Sequence, residues 1–353
     1  MQRIRIKDIA EIARVSIGTV DRVIHNRGEV SDATREKIQK LLREYNYKPD
    51  FMASSLALKR EIRLAVVMPK IVNEHVFWKL PRKGIDRALD ELSHYHLQVE
   101  HFNFDQIDRK DFLKLVNGFP FEQLHGVLFA PVFQKESVEF LEQCGRWNLP
   151  VVLFNSMLES PAVRSFVGQD AFHSGMVAAR LIDYGMLPGK DVLIMNLSAR
   201  KDHYAHIIQR EKGFRSFFEE HGGRPDHLLT IDLNGAGDHE LEERLEEAFA
   251  RYEIAGIFVT NSRVHLVAGY LASRGIMNIR LVGYDLLPES IEYLKRDYID
   301  FLISQRPEEQ AFRGLTSLFN LVAFNREPER KQFLPIDIIT RENLAFYEPK
   351  SQH

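Results

Sequence analysis

The stretch VSIGTVDRVIHNRG, residues 15–28, carries side chains suited to reading a DNA duplex. If it forms a helix, five residues share the face opposite its apolar stripe, namely Ile17, Gly18, Asp21, Arg22 and His25. Arg22 can donate twice to a guanine edge or bind a phosphate, and Ile17 can contact a thymine methyl group. The functional interpretation of Asp21 is that it accepts from a cytosine amino group or excludes wrong sequences by repulsion. The alternative is that it pairs with a neighbouring cation and orients it.

A second set of polar residues follows the apolar runs of the later chain. Ligands of open α/β sheets bind beyond the carboxyl ends of the strands, where amides, carboxylates and a guanidinium suit adjacent hydroxyl groups. An aromatic pair would cover the apolar face of a sugar ring. The candidate contacts to a sugar or polyol are Asn73, Phe77, Trp78, Asn155, Asp170, Arg210, Asn261, Asp285 and Gln305. The alternative for each is structural: a strand-end cap, a pair between subdomains or a core aromatic.

Catalytic patterns are weak in this sequence. NGAGDHE does not have the glycine spacing of a dinucleotide fingerprint. His203 and His206 are three residues apart without a matching carboxylate motif, as is typical of surface histidines. We therefore predict no catalytic residue, no metal and no cofactor; the alternative is a sugar-modifying enzyme.

Charge is distributed unevenly along the 353 residues, whose formal net charge is −3. Residues 1–60 carry 13 Lys and Arg against 8 Asp and Glu, whereas the remainder carries 34 against 42. A basic N-terminal segment on an acidic body favours a nucleic-acid partner. The chain has one cysteine, no apolar leader and no apolar run of the ~20 residues that span a bilayer. These features predict a cytoplasmic protein with no membrane partner.

Three short helices with a common apolar core are predicted in the first 48 residues. Ser16 and Ser31 are candidate N-caps for the second and third helices. On the third helix, the residues expected to face inward are Ile38, Leu41, Leu42 and Tyr45. A tight turn between the first two helices is typical of a helix-turn-helix. The following PDFMASSLALKRE predicts a short helix that orders only when something packs on it.

From Ile62 onward, apolar runs such as IRLAVVMP alternate with amphipathic helical stretches. Such alternation indicates parallel sheets covered on both faces, and two series of it predict two doubly wound subdomains. The resulting division is a helix-turn-helix headpiece (1–48), a short helix and linker (49–61), which the resemblance described below implies to be a hinge helix, and a core (62–353). Within the core, the predicted N-subdomain covers about 62–157 and 288–322, and the C-subdomain covers about 158–287 and 323–353.

The segment from IKDIAEIARVSIGTVDRVIHNRG to KPDFMASSLA resembles the headpiece of the LacI/GalR family of bacterial transcriptional regulators. The resemblance implies that Ile17 and Gly18 choose operator bases and that Arg22 reads a base. It also implies a hinge helix in the minor groove, where Leu56 wedges into the central base step and small Ala53 permits close approach. Asp21 and His25 depart from the family pattern. The DNA-binding residues are then Ser16, Ile17, Gly18, Thr19, Asp21, Arg22, His25, Ser31, Thr34, Tyr47, Ala53 and Leu56.

The later chain resembles periplasmic sugar-binding proteins and LacI-type cores. The matching segments VTNSRVHLVAGYL, VGYD and ISQ carry Asn261, Asp285 and Gln305 over as effector contacts, and Arg210 falls at the family's ligand arginine. The resemblance implies a homodimeric repressor of carbohydrate genes that binds a palindromic DNA operator and responds to a small sugar-like effector. A corepressor, a non-sugar effector and a transport-type binding protein are the alternatives.

Overall fold

The N-terminal domain is a three-helix unit. A computed structural model of the chain describes residues 6–24, 30–45, 61–72, 76–184, 186, 189–197, 205–221, 227–233 and 238–347. The helices are α1 (Ile6–Ala13), α2 (Ile17–Ile24) and α3 (Asp32–Glu44). Their shared core consists of Ile9, Ala10, Ala13, Val20, Val23 and Ile38. The predicted helix-turn-helix fold is therefore confirmed. Tyr45, predicted to face inward, is 45% exposed because α3 ends one residue earlier.

The core contains two sheets with helices on their faces. Its helices are α4 (Lys79–Glu91), α5 (Arg109–Asn117), α6 (Gln134–Arg146), α7 (Ala171–Asp183), α8 (Ala205–Glu220), α9 (Asp238–Arg251), α10 (Val264–Arg274), α11 (Pro288–Lys295) and α12 (Pro307–Phe324). Its strands are β1 (Ile62–Pro69), β2 (Leu97–Phe104), β3 (Gly126–Phe129), β4 (Val151–Phe154), β5 (Val163–Gly168), β6 (Asp191–Leu197), β7 (Leu228–Leu233), β8 (Ile254–Val259), β9 (Arg280–Tyr284), β10 (Phe301–Ser304), β11 (Lys331–Phe333) and β12 (Asp337–Ile339).

Each sheet has six strands and its own hydrophobic core. The first sheet is wholly parallel, in the order β11-β5-β4-β3-β1-β2. The second has the order β12-β10-β9-β8-β6-β7, with β12 antiparallel to β10. Every residue of β3 and β4 is buried, as expected for strands covered by helices on both faces. The predicted pair of doubly wound subdomains is confirmed.

The chain crosses between the subdomains at different places from those predicted. β5 pairs with β4, so the first crossover is at residues 169–170 and not near 157. β10 pairs with β9, which puts the second crossover at 305–306 and not near 287. The third is at 334–336, between β11 and β12, and not near 322. Apolar periodicity predicts a strand but not the sheet that it joins, and this is why the predicted boundaries were wrong.

Two glycines bring α7 and α8 into close contact. A Cβ on Gly175 of α7 would lie 2.0 Å from the backbone oxygen of Arg210 on α8. A Cβ on Gly213 of α8 would lie 1.9 Å from the backbone oxygen of Phe172 on α7. Because both backbones approach where a side chain is absent, this crossing fixes the position of Arg210 relative to α7.

Candidate functional site

The exposed face of α2 is the candidate DNA-reading surface. Ile17 is 49% exposed, and Gly18 and Arg22 are also exposed, while Val20 and Val23 are buried against the other helices. Among the described residues, a Cβ on Gly18 would meet only Ser16 Oγ, at 3.8 Å, so that part of the headpiece leaves this position open. An apolar group and a guanidinium that project from one helix face are suited to contacts with base edges in a major groove.

Paired hydroxyl groups mark the starts of α2 and α3. Ser16 Oγ accepts from the backbone N–H of Thr19 at 3.1 Å and lies 2.9 Å from Thr19 Oγ1. Ser31, which directly precedes α3, has its Oγ 2.8 Å from Oγ1 of Thr34, in the first turn of α3. Ser16 thus satisfies a backbone donor at the start of α2, and both pairs place hydroxyl groups where they can contact a DNA phosphate. The side chain of Asp21 and the residues His25, Tyr47, Ala53 and Leu56 lie outside the described part of the chain.

Three of the predicted effector contacts form one buried network. Gln305 Nε2 donates to Asp285 Oδ2 at 2.7 Å, and Gln305 Oε1 accepts from Arg210. Arg210 also donates from Nη1 to the backbone oxygen of Thr260 at 2.7 Å. Two atoms of the network, Arg210 Nε and Asp285 Oδ1, have no hydrogen-bond partner among the described residues. One buried donor and one buried acceptor therefore remain for a polar ligand.

The surroundings of this network shift its protonation equilibria. Burial raises the pKa of Asp285 to about 6, although Arg210 and the Gln305 hydrogen bond oppose the shift. Burial also lowers the pKa of the Arg210 guanidinium, which lies 3.6 Å from the centre of the Tyr284 ring. The Tyr284 hydroxyl is 2.7 Å from Ser174 Oγ on α7. The guanidinium is thus held by an aromatic face as well as by hydrogen bonds.

Asp285 and Asn155 end two strands, one in each subdomain, with left-handed backbone conformations. Their φ angles are 68° and 66°. Asp and Asn tolerate this region better than most residues, and it turns the chain sharply at the end of β9 and of β4. The Asn155 N–H donates to Gln310 Oε1 at 2.9 Å. Both side chains are therefore placed at the carboxyl edges of the sheets, where α/β proteins bind ligands.

A cavity of about 510 Å³ lies between the subdomains on the side of the crossovers. We call it the hinge-side cavity. Asn155 and Asp170 are the predicted contacts that line it, and Asp170 also caps α7 by accepting from the His173 N–H at 3.0 Å. The other polar and aromatic residues of its wall are Gln134, Glu159, Phe166, Gln169, Phe172, His206, Gln209, Lys331 and Phe333.

The remaining predicted contacts have other surroundings. Asn261 donates to the Leu197 backbone oxygen at 2.6 Å and accepts from the Arg263 N–H at 3.1 Å, so its amide caps the end of β8. Trp78 is 4% exposed, belongs to the core of the first subdomain and donates to Gln106 Oε1 at 2.8 Å. Phe77 is half-buried beside it, with ring centres 5.1 Å apart. Asn73 lies outside the described residues.

Sequence reasoning missed several residues of the hinge-side cavity. Gln169 directly precedes the predicted contact Asp170 at a strand end, and this position was a usable signal. His206 was interpreted as a surface histidine, but it lines the cavity, and burial together with Arg210 holds its pKa well below the usual range. Lys331 and Phe333 belong to β11, whose sequence contains no apolar run that would predict a strand.

Comparison with known proteins identifies both domains. Residues 5–50 match the family described as "Bacterial regulatory proteins, lacI family", and residues 64–326 match the "Periplasmic binding protein domain". The chain belongs to the LacI family of bacterial regulatory proteins. The HTH-type transcriptional regulator DegA of Bacillus subtilis is 29% identical over 79% of this chain and 81% of its own length. The ribose operon repressor of Bacillus subtilis is 27% identical over 81% and 82%, and the sucrose operon repressor of Lactococcus lactis 24% over 86% and 88%.

Solved structures agree with the assignment to the LacI family. A putative LacI transcriptional regulator from Bacteroides fragilis superposes with a TM-score of 0.74 at 26% identity, covering 82% of this chain and all of that one. A glucose-galactose binding protein from Geobacillus stearothermophilus shares the fold, with a TM-score of 0.69 at 19% identity and coverage of 81% and 99%.

The described part of the chain contains neither a metal-binding cluster nor a membrane-spanning helix. No cluster of three or more His, Cys, Asp or Glu side chains there is arranged to hold a metal ion. None of the helices described has the length and apolarity needed to cross a bilayer.

Proposed function

We infer that this LacI-family regulator is a homodimeric repressor of genes for carbohydrate use. Its affinity for a palindromic DNA operator is set by a small sugar-like effector bound between the core subdomains. The relatives are regulators and not enzymes, and two of them are named as operon repressors for ribose and sucrose. Because its binding partner is chromosomal DNA, we place the protein in the cytoplasm.

The buried Arg210–Gln305–Asp285 network carries the effector part of the proposal. Among the described residues, it offers an unpaired donor at Arg210 Nε and an unpaired acceptor at Asp285 Oδ1. A hydroxyl group can both donate and accept, so a pair of adjacent hydroxyls satisfies both atoms, whereas a purely apolar ligand leaves both buried and unpaired. Asn155 and Asp170 line the hinge-side cavity and offer further polar contacts there.

The DNA part of the proposal depends on α2. Ile17, Gly18 and Arg22 are exposed together and are assigned to base recognition, while Ser16, Thr19, Ser31 and Thr34 are assigned to the phosphate backbone. Asp21, His25, Tyr47, Ala53 and Leu56 keep their predicted DNA-binding roles as part of the proposal. Two copies of the headpiece on a two-fold axis read two half-sites in opposite directions, and this requires a palindromic operator.

Sequence selection from a random duplex library tests the proposal directly. The full chain should enrich a palindromic motif, whose binding is then followed by fluorescence anisotropy at one fixed salt concentration, because non-specific binding depends steeply on salt. D-arabinose, D-tagatose, D-allose and myo-inositol form the first effector panel. A sugar that weakens operator binding is an inducer, and one that strengthens it is a corepressor. A chain without sequence preference, with or without these sugars, contradicts the proposal.

A further inference from the structure

Gln169 joins all three crossovers between the subdomains. Its Nε2 donates to the backbone oxygen of Ser304 at 3.1 Å and to that of Pro335 at 3.3 Å. Gln169 lies in the first crossover, Ser304 ends the strand before the second, and Pro335 lies in the third. A single buried amide therefore connects the three chain segments that must twist when one subdomain moves relative to the other.

The orientation of this amide follows from its partners. Both partners are carbonyl oxygens, which accept hydrogen bonds only, so the amide nitrogen must face them and the oxygen must face away. Gln169 is 6% exposed, and its Oε1 is buried without a hydrogen-bond partner in the described part of the chain. The residue lines the hinge-side cavity together with Asn155 and Asp170. A buried acceptor without a donor is unfavourable, so this atom favours a ligand that supplies one.

We propose that Gln169 transmits occupancy of the hinge-side cavity to the crossovers. Its Oε1 accepts a hydrogen bond from a hydroxyl of the bound molecule, while its Nε2 holds Ser304 and Pro335. The ligand part rests on the sugar effector proposed above. Gln169 is thus a positioning residue that contacts the effector and the hinge at once.

The cavity wall favours a neutral, hydroxyl-rich ligand at this position. Next to Gln169, the Asp170 carboxylate is a further acceptor, and the Asn155 amide offers both a donor and an acceptor. An anionic group next to Gln169 Oε1 would be repelled, because the amide oxygen also carries negative charge. A hydroxyl group can instead donate a hydrogen bond to this oxygen. Phe166 and Phe333, whose ring centres are 6.2 Å apart, add aromatic surface to the same cavity.

A second contact between crossovers lacks the link to the cavity that Gln169 has. The Arg306 guanidinium pairs with the Asp337 carboxylate and so ties the second crossover to β12 just beyond the third. Neither residue lines the hinge-side cavity. Gln169 differs because it both binds the crossovers and borders the cavity.

The test compares Gln169→Met with Gln332→Met. Methionine keeps the length of the side chain and removes every amide hydrogen bond. Gln332 is a matched control, because its Nε2 also donates twice, to Ser165 Oγ at 3.0 Å and to Ser317 Oγ at 3.1 Å. Both of those partners lie in the first subdomain, so this substitution removes two hydrogen bonds without touching a crossover.

Two readouts separate the hinge from the effector. The first needs no sugar: spin labels on Lys110→Cys and Glu242→Cys, exposed positions in different subdomains, report the interdomain distance. The native Cys144 is buried, and burial raises its pKa to about 12, so it does not take the label. The second readout is the change in operator affinity caused by D-arabinose, D-tagatose, D-allose and myo-inositol.

We expect Gln169→Met to broaden the distance distribution of the ligand-free protein and to reduce the sugar-induced change in operator affinity about tenfold. Gln332→Met should match the wild type in both. Wild-type behaviour of Gln169→Met, or an equal effect of Gln332→Met, overturns the proposal. If none of the four sugars raises the melting temperature of the wild type, the ligand part is wrong, while the distance measurement still decides the hinge part. If Gln169→Met does not fold, Gln169→Asn, which is too short to reach both carbonyls, replaces it.

Discussion

Gln305 donates a hydrogen bond from Nε2 to Oδ2 of Asp285 across 2.7 Å, and it links this buried carboxylate to Arg210. Burial nevertheless raises the pKa of Asp285 from 3.8 to about 6. The carboxylate is therefore held in the folded protein at a free-energy cost.

This raised pKa predicts a pH dependence of stability with a definite sign. Well below the ordinary carboxyl pKa of 3.8, the folded and unfolded states both hold the proton, and Asp285 does not affect the pH dependence. Between about pH 4 and 6 the folded state binds more protons, so the free energy of unfolding falls as the pH rises. Asp285→Asn cannot ionise and should be more stable than the wild type at pH 8, by up to about 3 kcal/mol. Urea unfolding at pH 4 and at pH 8 measures this difference.

Asp111→Asn is the control for that experiment, because its environment acts in the opposite direction. A hydrogen bond from Lys70 lowers the pKa of Asp111, so this carboxylate stabilises the fold above the usual carboxyl pKa. The variant should lose stability at pH 8 relative to pH 4. If Asp285→Asn is instead the less stable protein at pH 8, then attraction to Arg210 outweighs desolvation and the predicted sign is wrong.

The close approach of α7 and α8 gives a prediction about geometry. Gly175→Ala would put a Cβ 2.0 Å from the Arg210 backbone oxygen, so the helices must separate and carry Arg210 with them. We expect a loss of about 1–3 kcal/mol in the free energy of unfolding and weaker sugar binding. Thermal unfolding and isothermal titration measure the two effects.

Gly145→Ala is the matched control on α6. A Cβ there would lie 3.9 Å from the nearest atom, Ala162 Cβ, which is ordinary contact. Alanine in a helix is favoured over glycine by about 0.5–1 kcal/mol, so this variant should keep or gain stability with unchanged sugar affinity. If Gly175→Ala and Gly145→Ala have the same stability and the same sugar affinity, the contact between α7 and α8 does not position Arg210 for sugar binding.

The folds of both domains follow from local sequence patterns, but the hinge does not. Ser16 caps α2, and uninterrupted runs such as VVLF form strands buried on both faces, because these signals act over a few residues. The strand β11 was missed because only its central residue is partly buried, while Lys331 and Phe333 are exposed. Its short polar sequence shows no apolar alternation.

The candidate effector site could be predicted only in part from the sequence, for a similar reason. Arg210, Asp285 and Gln305 were found through motifs, and the structure brings them into one network. Gln169 contacts Ser304 and Pro335, which are more than 130 residues away in the chain, so its position at a strand end gives no indication of these two contacts. Whether an aromatic residue faces a cleft or a core also depends on tertiary packing, as Trp78 illustrates.

Trp78 is expected to serve the core and not the effector. Its ring is buried next to Phe154, with centres 6.4 Å apart, and its Nε1 donates to Gln106. Trp78→Phe removes that hydrogen bond and leaves a cavity, so the free energy of unfolding should fall by about 1–3 kcal/mol with unchanged sugar affinity. Trp147→Phe, at a site that is 49% exposed, should change stability by less than about 0.5 kcal/mol. If the Trp78→Phe variant is as stable as the wild type but binds the sugar more weakly, the prediction is wrong and Trp78 is an effector contact.

Arg22 provides the test of DNA reading, because charge and geometry can be separated there. The side chain is exposed on α2, next to the exposed Gly18, and a bidentate contact to guanine contributes about 1–3 kcal/mol of discrimination. Arg22→Lys keeps the positive charge but loses the planar pair of donors, so binding to random DNA should persist while preference for the selected operator falls about 5- to 150-fold. Arg22→Ala should lose the preference and also weaken random-DNA binding, with a shallower salt dependence. Anisotropy titrations at two salt concentrations distinguish the variants, and thermal shifts with the sugar panel confirm that the core is intact. If Arg22→Lys retains the full operator preference, Arg22 contacts phosphate alone, and the bases must be read by Ile17 and the other residues of α2.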